Sequence, residues 1–184
     1  PILHGIVIGG STGEYYAHTA EERLALAAHA SEVIAGRLPL VVGTGAIRTE
    51  DSLAYAEAAR AIGADAILVG SPPYALPTSR EIAEHVLAVD RAAGLPIMLY
   101  NYPARMGVEM DEAFFAAVAG CRNIVAIKES SGSTAQLHRL ACRHPRIALS
   151  CGWDDQALEF FAWGARSWVC AGSNFIPGEH LALY

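Results

Sequence analysis

Short apolar runs rich in β-branched residues alternate along this chain with longer Ala-rich stretches of helical period, and this rhythm constrains the fold more than any single motif. It predicts strands at residues 4–9, 40–43, 66–69, 96–100, 124–128, 147–150 and 168–171. Helices are predicted between them at 20–35, 50–62, 79–93, 111–119, 134–143 and 155–162. Thr19 with Glu22, and Thr78 with Glu81, have the capping-box spacing in which two side chains satisfy the first free backbone N–H groups of a helix. Gly36, Gly63, Gly94, Gly120 and Gly164 fall where helices should stop. Strand–helix alternation at this pace implies parallel strands joined by helical crossovers.

Two architectures fit that order: an open doubly wound sheet and a (β/α)₈ TIM barrel. The chain has 184 residues, enough for one substantial core, and no linker or composition break divides it. A complete barrel needs about 250 residues. The seven strand–helix steps therefore read as a single partial TIM-barrel domain spanning 1–184. It is expected to lack the first βα unit, which would leave two unpaired strand edges, and the C-terminal helices. The opening at Pro1, directly ahead of a strand-like run, fits a fragment or a trimmed chain.

Composition excludes several function classes. Apolar residues make up 53% and charged residues 17%, which rules out disorder. A net charge of −6 offers no basic stripe for a nucleic-acid partner. No apolar run reaches the roughly 18–20 residues that span a membrane, and no signal-peptide pattern opens the chain. Cys121, Cys142, Cys151 and Cys170 form no CxxC and are expected to be reduced, mostly buried thiols of a cytoplasmic protein. The histidines are scattered, with His29, His85 and His138 on predicted helices, and no pair has metal-ligand spacing with a carboxylate; no metal is expected.

In a barrel the chemistry collects at the C-terminal ends of the strands. The first predicted strand runs into Gly9-Gly10-Ser11-Thr12-Gly13-Glu14, which suits either a tight capped turn or a small anion-binding nest of N–H groups. The fourth ends in Tyr100, followed by Asn101, Tyr102, Pro103 and Arg105. An inward phenol there is placed to move protons, or to pack in the core with its hydroxyl on backbone. On the fifth, strict alternation puts Ile124, Ala126 and Lys128 on one face, with Val125 and Ile127 toward the helices. A lysine carried inward by an apolar strand loses solvation, so its ammonium is disfavoured and its amine becomes a nucleophile; the alternative is a strand-end lysine reaching to solvent. Tyr74 lies in a Pro-rich loop, and Gly172 and Ser173 follow the last strand.

Together these pieces make the chain resemble the dihydrodipicolinate synthase and N-acetylneuraminate lyase superfamily, along essentially its whole length. GGSTGE at 9–14, PPY at 72–74, YNYPAR at 100–105 and IKESSG at 127–132 occur in family order after predicted strands. The resemblance implies a class I, Schiff-base lyase acting on pyruvate or a related 2-oxo acid, with Lys128 forming the imine and Tyr100 passing protons. Ser11 and Thr12 match the pair whose backbone N–H groups hold the pyruvate carboxylate, and Ser11 also matches the link from Tyr100 to a second tyrosine. Tyr74 resembles that second tyrosine, which in the family crosses a tight dimer contact. Arg105 matches the arginine that meets the second substrate's carboxylate, and Val169 falls near the wall of the pyruvate pocket. No metal or organic cofactor is implied, and the expected partners are a 2-oxo acid, an aldehyde and further copies of the chain, as a homodimer or homotetramer.

Some residues depart from the synthase pattern. Ser11 stands where that branch usually has Thr, which is closer to the neuraminate lyase form. The turn Cys151-Gly152-Trp153-Asp154-Asp155 is bulkier than in typical synthases. Synthase chemistry, cleavage of N-acetylneuraminate, and cleavage or dehydration of a 2-keto-3-deoxy sugar acid thus stay open for the second substrate. Outside this chemistry stand a non-catalytic 2-oxo-acid-binding module, an inactive truncated barrel, and a phosphate-binding barrel using Gly172 and Ser173.

Overall fold

A computed structural model describes residues 3–184. Its seven strands are β1 (Ile6–Ile8), β2 (Leu40–Gly43), β3 (Ala66–Gly70), β4 (Ile97–Asn101), β5 (Ile124–Glu129), β6 (Ala148–Cys151) and β7 (Ser167–Trp168). They pair in parallel and in strict chain order, β1 to β7. A doubly wound sheet reverses its strand order at a switch point, and this one never does. The order is that of a curled (β/α) barrel wall, as the chain's rhythm predicts, with β1 and β7 as the edges of the described sheet.

Helices α1 (Ala20–Ile34), α2 (Thr49–Ala61), α3 (Ser79–Ala93), α5 (Glu112–Val118), α6 (Thr134–Arg143) and α7 (Ala157–Ala162) follow the predicted segments. Both capping boxes form, Thr19 with Glu22 and Thr78 with Glu81. One helix was not anticipated, the single turn α4 (Pro103–Met106), while α8 (Pro177–Leu183) follows the last strand. Four of the five glycines expected at helix ends have a positive φ; Gly120 does not, because α5 closes through Ala119 in an ordinary helical conformation.

The main core lies between the sheet and the helices. From the sheet come Leu40, Val42, Ile67, Val69, Ile97, Leu99, Ile127 and Leu149; from α3, whose buried stripe repeats at helical spacing, come Ile82, Val86 and Val89. The opposite face of the strands carries Leu68, Tyr100, Ala126 and Ser150, which are buried but stand apart from that cluster.

Two sequence expectations need correction here. The pairing steps from Ile97↔Ile124 to Met98↔Ala126, so Val125 is an extra residue with no partner on β4. This bulge breaks the alternation: Ile124 packs in the helix-side cluster with Ile127, Ala126 and Lys128 keep the inward phase of Met98 and Tyr100, and Val125 is 43% exposed. The thiols also differ, since only Cys151 is buried, Cys121 and Cys170 are half-buried and Cys142 is exposed.

The first loop is set by a close approach of two glycines. A Cβ on Gly43 would lie 2.2 Å from the Gly9 carbonyl oxygen, and Gly9 itself has φ 65°. The chain then turns at once, with Glu14 N donating to Ser11 O at 3.2 Å and Ala17 N to Glu14 O at 2.8 Å. No helix among the described residues is long and apolar enough to cross a membrane.

Candidate active site

The strands deliver their C-terminal ends to one open cleft of about 570 Å³. Ser11 and Thr12 reach it after β1, Tyr100 from β4, Lys128 from β5, and Val169 beyond β7. Arg105 lies at its rim on α4. Six of the seven residues singled out in the sequence therefore meet at one place. Tyr74 does not: it is 89% exposed, with a left-handed backbone at φ 70°, outside this cleft.

Lys128 and Tyr100 are register partners on adjacent strands, and the ammonium nitrogen lies 4.4 Å from the centre of the phenol ring. Burial lowers the Lys128 pKa to about 8, with Asp154, Cys170 and Cys151 pulling weakly the other way. Burial pushes Tyr100 up to about 12, opposed by the Ser11 hydroxyl beside it. The pair thus offers a readily neutralised amine next to a phenol that holds its proton, and a proton can pass between them and a bound carbonyl.

The backbone that carries these residues is fixed from behind. Glu129, next to Lys128, is 1% exposed on the helix side of the sheet. It accepts from Asn101 Nδ2, next to Tyr100, at 2.8 Å and from Ser131 N at 2.6 Å. Asn101 Oδ1 in turn accepts from Met110 N at 3.0 Å. Burial raises the Glu129 carboxyl above its usual range, and the bonds from Ser131 and Asn101 oppose that rise. The clasp joins the residues that follow the amine and the phenol, and so holds the two strand ends in register.

The front of Lys128 has little spare room. A Cβ on Gly152 would lie 2.0 Å from Ser130 Oγ and 2.8 and 2.9 Å from Lys128 Cγ and Cε. The Ser130 and Ser150 hydroxyls, both buried, have no hydrogen-bond partner among the described residues. Alternation from Lys128 points to Ser130, but sequence alone gives no signal for its packing against Gly152.

Glu14, Tyr16, Tyr102, Trp153, Asp154 and Asp155 also line the cleft and were not singled out as site residues. Tyr102 bridges two rings, with centroids 5.5 Å from Tyr100 and 5.6 Å from Trp153, and the Arg105 guanidinium stands 6.0 Å from its ring. The mouth therefore combines an aromatic wall, one cation and three carboxylates. Among the described residues no three His, Cys, Asp or Glu side chains come together as a metal site.

Comparison with known proteins agrees with this geometry. The chain is 39% identical over 179 residues to the 4-hydroxy-tetrahydrodipicolinate synthase of Stenotrophomonas maltophilia, covering 97% of this chain and 60% of that protein. It is 38% identical to the same enzyme of Exiguobacterium sibiricum, covering 98% and 62%. Among solved structures it superimposes with a TM-score of 0.91 on the 4-hydroxy-tetrahydrodipicolinate synthase of Methylacidiphilum fumariolicum, at 32% identity over 95% of this chain and 59% of that one. The TM-score is 0.92, at 30% identity, for a prophage protein of the dihydrodipicolinic acid synthase family from E. coli K12 solved with pyruvate, covering 98% and 62%. The chain spans about 60% of the length of these relatives. The sequence model of the Dihydrodipicolinate synthetase family matches residues 2–184, and with the fold and the lysine–tyrosine pair in place, the chain belongs to that family.

Proposed function

We propose that this chain carries the imine-forming centre of a pyruvate-dependent class I lyase. The observation that carries the reading is the desolvated Lys128 amine, with a pKa of about 8, facing the Tyr100 phenol across the β4–β5 ladder. In this reading residues 1–184 form one partial-barrel domain of a cytoplasmic enzyme. The neutral amine attacks the 2-oxo carbon, and water leaves as Tyr100 passes the proton. The protonated imine then draws electrons from C3, which loses a proton to give an enamine. The backbone N–H groups around Ser11 and Thr12 hold the carboxylate, and Val169 closes the pocket wall.

The enamine adds to an aldehyde whose carboxylate meets Arg105. The relatives' shared name supports 4-hydroxy-tetrahydrodipicolinate synthase chemistry, the condensation of pyruvate with aspartate semialdehyde. The lysine itself is the electron sink, so no metal or organic cofactor has a step to perform. Tyr74, exposed and held in a left-handed backbone, suits a contact with a second copy in a homodimer or homotetramer, where it completes the neighbour's relay through Ser11.

Borohydride trapping tests the reading. Pyruvate with borohydride should add one reduced-pyruvate mass on the peptide containing Lys128, at a rate cut roughly 100-fold in Tyr100→Phe. Lys128 is the chain's single lysine, so a folded chain that forms no adduct, or forms it at the N-terminus, overturns the assignment.

A further inference from the structure

Beyond the seventh strand a second set of reactive groups comes together. Cys170 Sγ lies 2.8 Å from Ser173 Oγ and 3.2 Å from His180 Nδ1, and Ser173 Oγ lies 3.0 Å from the same ring nitrogen. The segment after β7, the 3-10 turn Gly172–Asn174 and α8 each contribute one side chain. The imidazole rests against the Trp168 indole, with centroids 4.4 Å apart and planes 31° from parallel. Trp168 Nε1 donates to Asp154 Oδ1 at 3.1 Å, and Gly172 N donates to Asp154 Oδ2 at 3.3 Å.

Gly172 leaves open the space that the ring needs. A Cβ there would lie 2.4 Å from His180 Cε1, 3.0 Å from Nε2 and 3.5 Å from Asp154 Oδ2. The far side of the imidazole and the Asp154 carboxylate thus both border one empty position, while Nδ1 faces the thiol. With its proton on Nε2, the ring offers at Nδ1 an acceptor that the thiol and the Ser173 hydroxyl share. Thiol and imidazole thus stand as nucleophile and base, while Asp154 is held by Trp168 and Gly172. Cys170 is half-buried, so a small reagent can reach it, and its neighbours Val169 and Ala171 line the Lys128 cleft.

We propose that Cys170 is an oxidisable thiol, with His180 as its base and peroxide as its substrate class, and that its oxidation closes the Lys128 site. The thiol proton passes to His180 Nδ1. The thiolate attacks one peroxide oxygen, forming an S–O bond as the O–O bond breaks. The departing hydroxide takes the proton back from His180 and leaves as water. Sulfur is oxidised by two electrons to a sulfenic acid, and the peroxide is reduced by two. The added oxygen enlarges the side chain between Val169 and Ala171, and the proposed closure is the shift of that wall into the cleft they line. This closure rests on the Schiff-base reading; the thiol chemistry does not.

The test treats the chain with hydrogen peroxide and dimedone, which adds to sulfenic acids, and follows each cysteine peptide by mass, with exposed Cys142 as internal reference. Cys170 should be labelled about tenfold faster than Cys142. His180→Gln, and separately Gly172→Ala, which pushes the ring off its seat, should bring Cys170 down to the Cys142 rate. Peroxide should slow pyruvate trapping on Lys128 about tenfold in the parent chain and leave it unchanged in Cys170→Ala. Labelling of Cys170 no faster than Cys142, or unaffected by both variants, overturns the thiol assignment. Inhibition that persists in Cys170→Ala overturns the closure. A chain that forms no pyruvate adduct even before peroxide fails the Schiff-base reading and the closure with it, and the labelling rates then decide the thiol alone.

Discussion

Replacing Gly152 with alanine adds one methyl group at the most crowded point of the cleft. The backbone accepts the change, since Gly152 has no positive φ, so the effect is steric. Ser130 Oγ, 2.0 Å from the new carbon, must retreat by about 1.4 Å to reach ordinary contact, and the Lys128 carbons, 2.8 and 2.9 Å away, by about 0.5–0.6 Å. The backbone cannot slide to relieve this, because Gly152 N donates to Glu129 O at 3.0 Å and Glu129 is itself clasped. The lysine stem therefore gives way, and the amine leaves its position against Tyr100. A misplacement on the order of 1 Å costs about 100-fold in a positioned reaction, so a shift of half that predicts trapping slowed roughly tenfold or more. Overpacking should destabilise the fold by only about 1–3 kcal/mol. Borohydride-trapped adduct formation, read against the chain's thermal midpoint, separates the two effects. A variant that traps pyruvate within twofold of the parent rate would show that the position of the Lys128 stem does not govern the chemistry.

With a pKa of about 8, roughly 10% of Lys128 is neutral at pH 7, against about 0.03% for an ordinary lysine. Trapping should therefore rise with pH through a midpoint near 8 to a plateau from about pH 9; a profile with its midpoint near 10.5 refutes the desolvation argument. Asp154 is the largest influence raising that pKa, so Asp154→Asn should move the midpoint to lower pH, and an upward move would contradict the assigned sign. The same burial costs stability: the folded pKa lies below the unfolded one, so the penalty is complete below about pH 8 and fades as pH rises toward 10.5. Lys128→Met should thus be more stable than the parent by about 3 kcal/mol at pH 7, and melting curves at pH 7 and near pH 10 should show the gap shrinking. Ile127, fully buried against the helices, should cost about 2–5 kcal/mol as alanine in denaturant unfolding, while pyruvate trapping per folded molecule holds; a cost under 1 kcal/mol would mean the cluster collapses around the gap.

The fold was legible wherever local and tertiary preferences agreed. The central strands lie within a residue of their predicted ends, and Thr19 and Thr78 cap their helices as their spacing requires. What was lost depends on contacts between strands. Nothing in the string Ile124-Val125-Ala126 announces that Val125 stands out of register with β4, yet that one residue moves Ile124 to the other face. The last strand is predicted at 168–171 from its apolar run, but it spans only Ser167–Trp168, and the chain turns at Ala171 into a 3-10 turn held by Asp154. Lys128 and Tyr100 could be found because strand-end position and residue type point the same way. Trp153, Asp154 and Asp155 could not be ranked, because their part in the cleft depends on how the turn after β6 folds back over Lys128.

The clasp between Asn101 and Glu129 divides responsibility within the molecule. It holds the amine and the phenol from the dry side of the sheet, whereas Arg105 on α4 and Trp153 and Asp155 in the turn after β6 stand at the wet side and take no part in it. On the proposed reading, a substitution at the wet side can therefore change which aldehyde is admitted without disturbing how the imine forms. One half of the proposed reaction could then be kept while the other is exchanged, so that this scaffold would acquire a new substrate by small steps, each leaving the imine-forming pair in place.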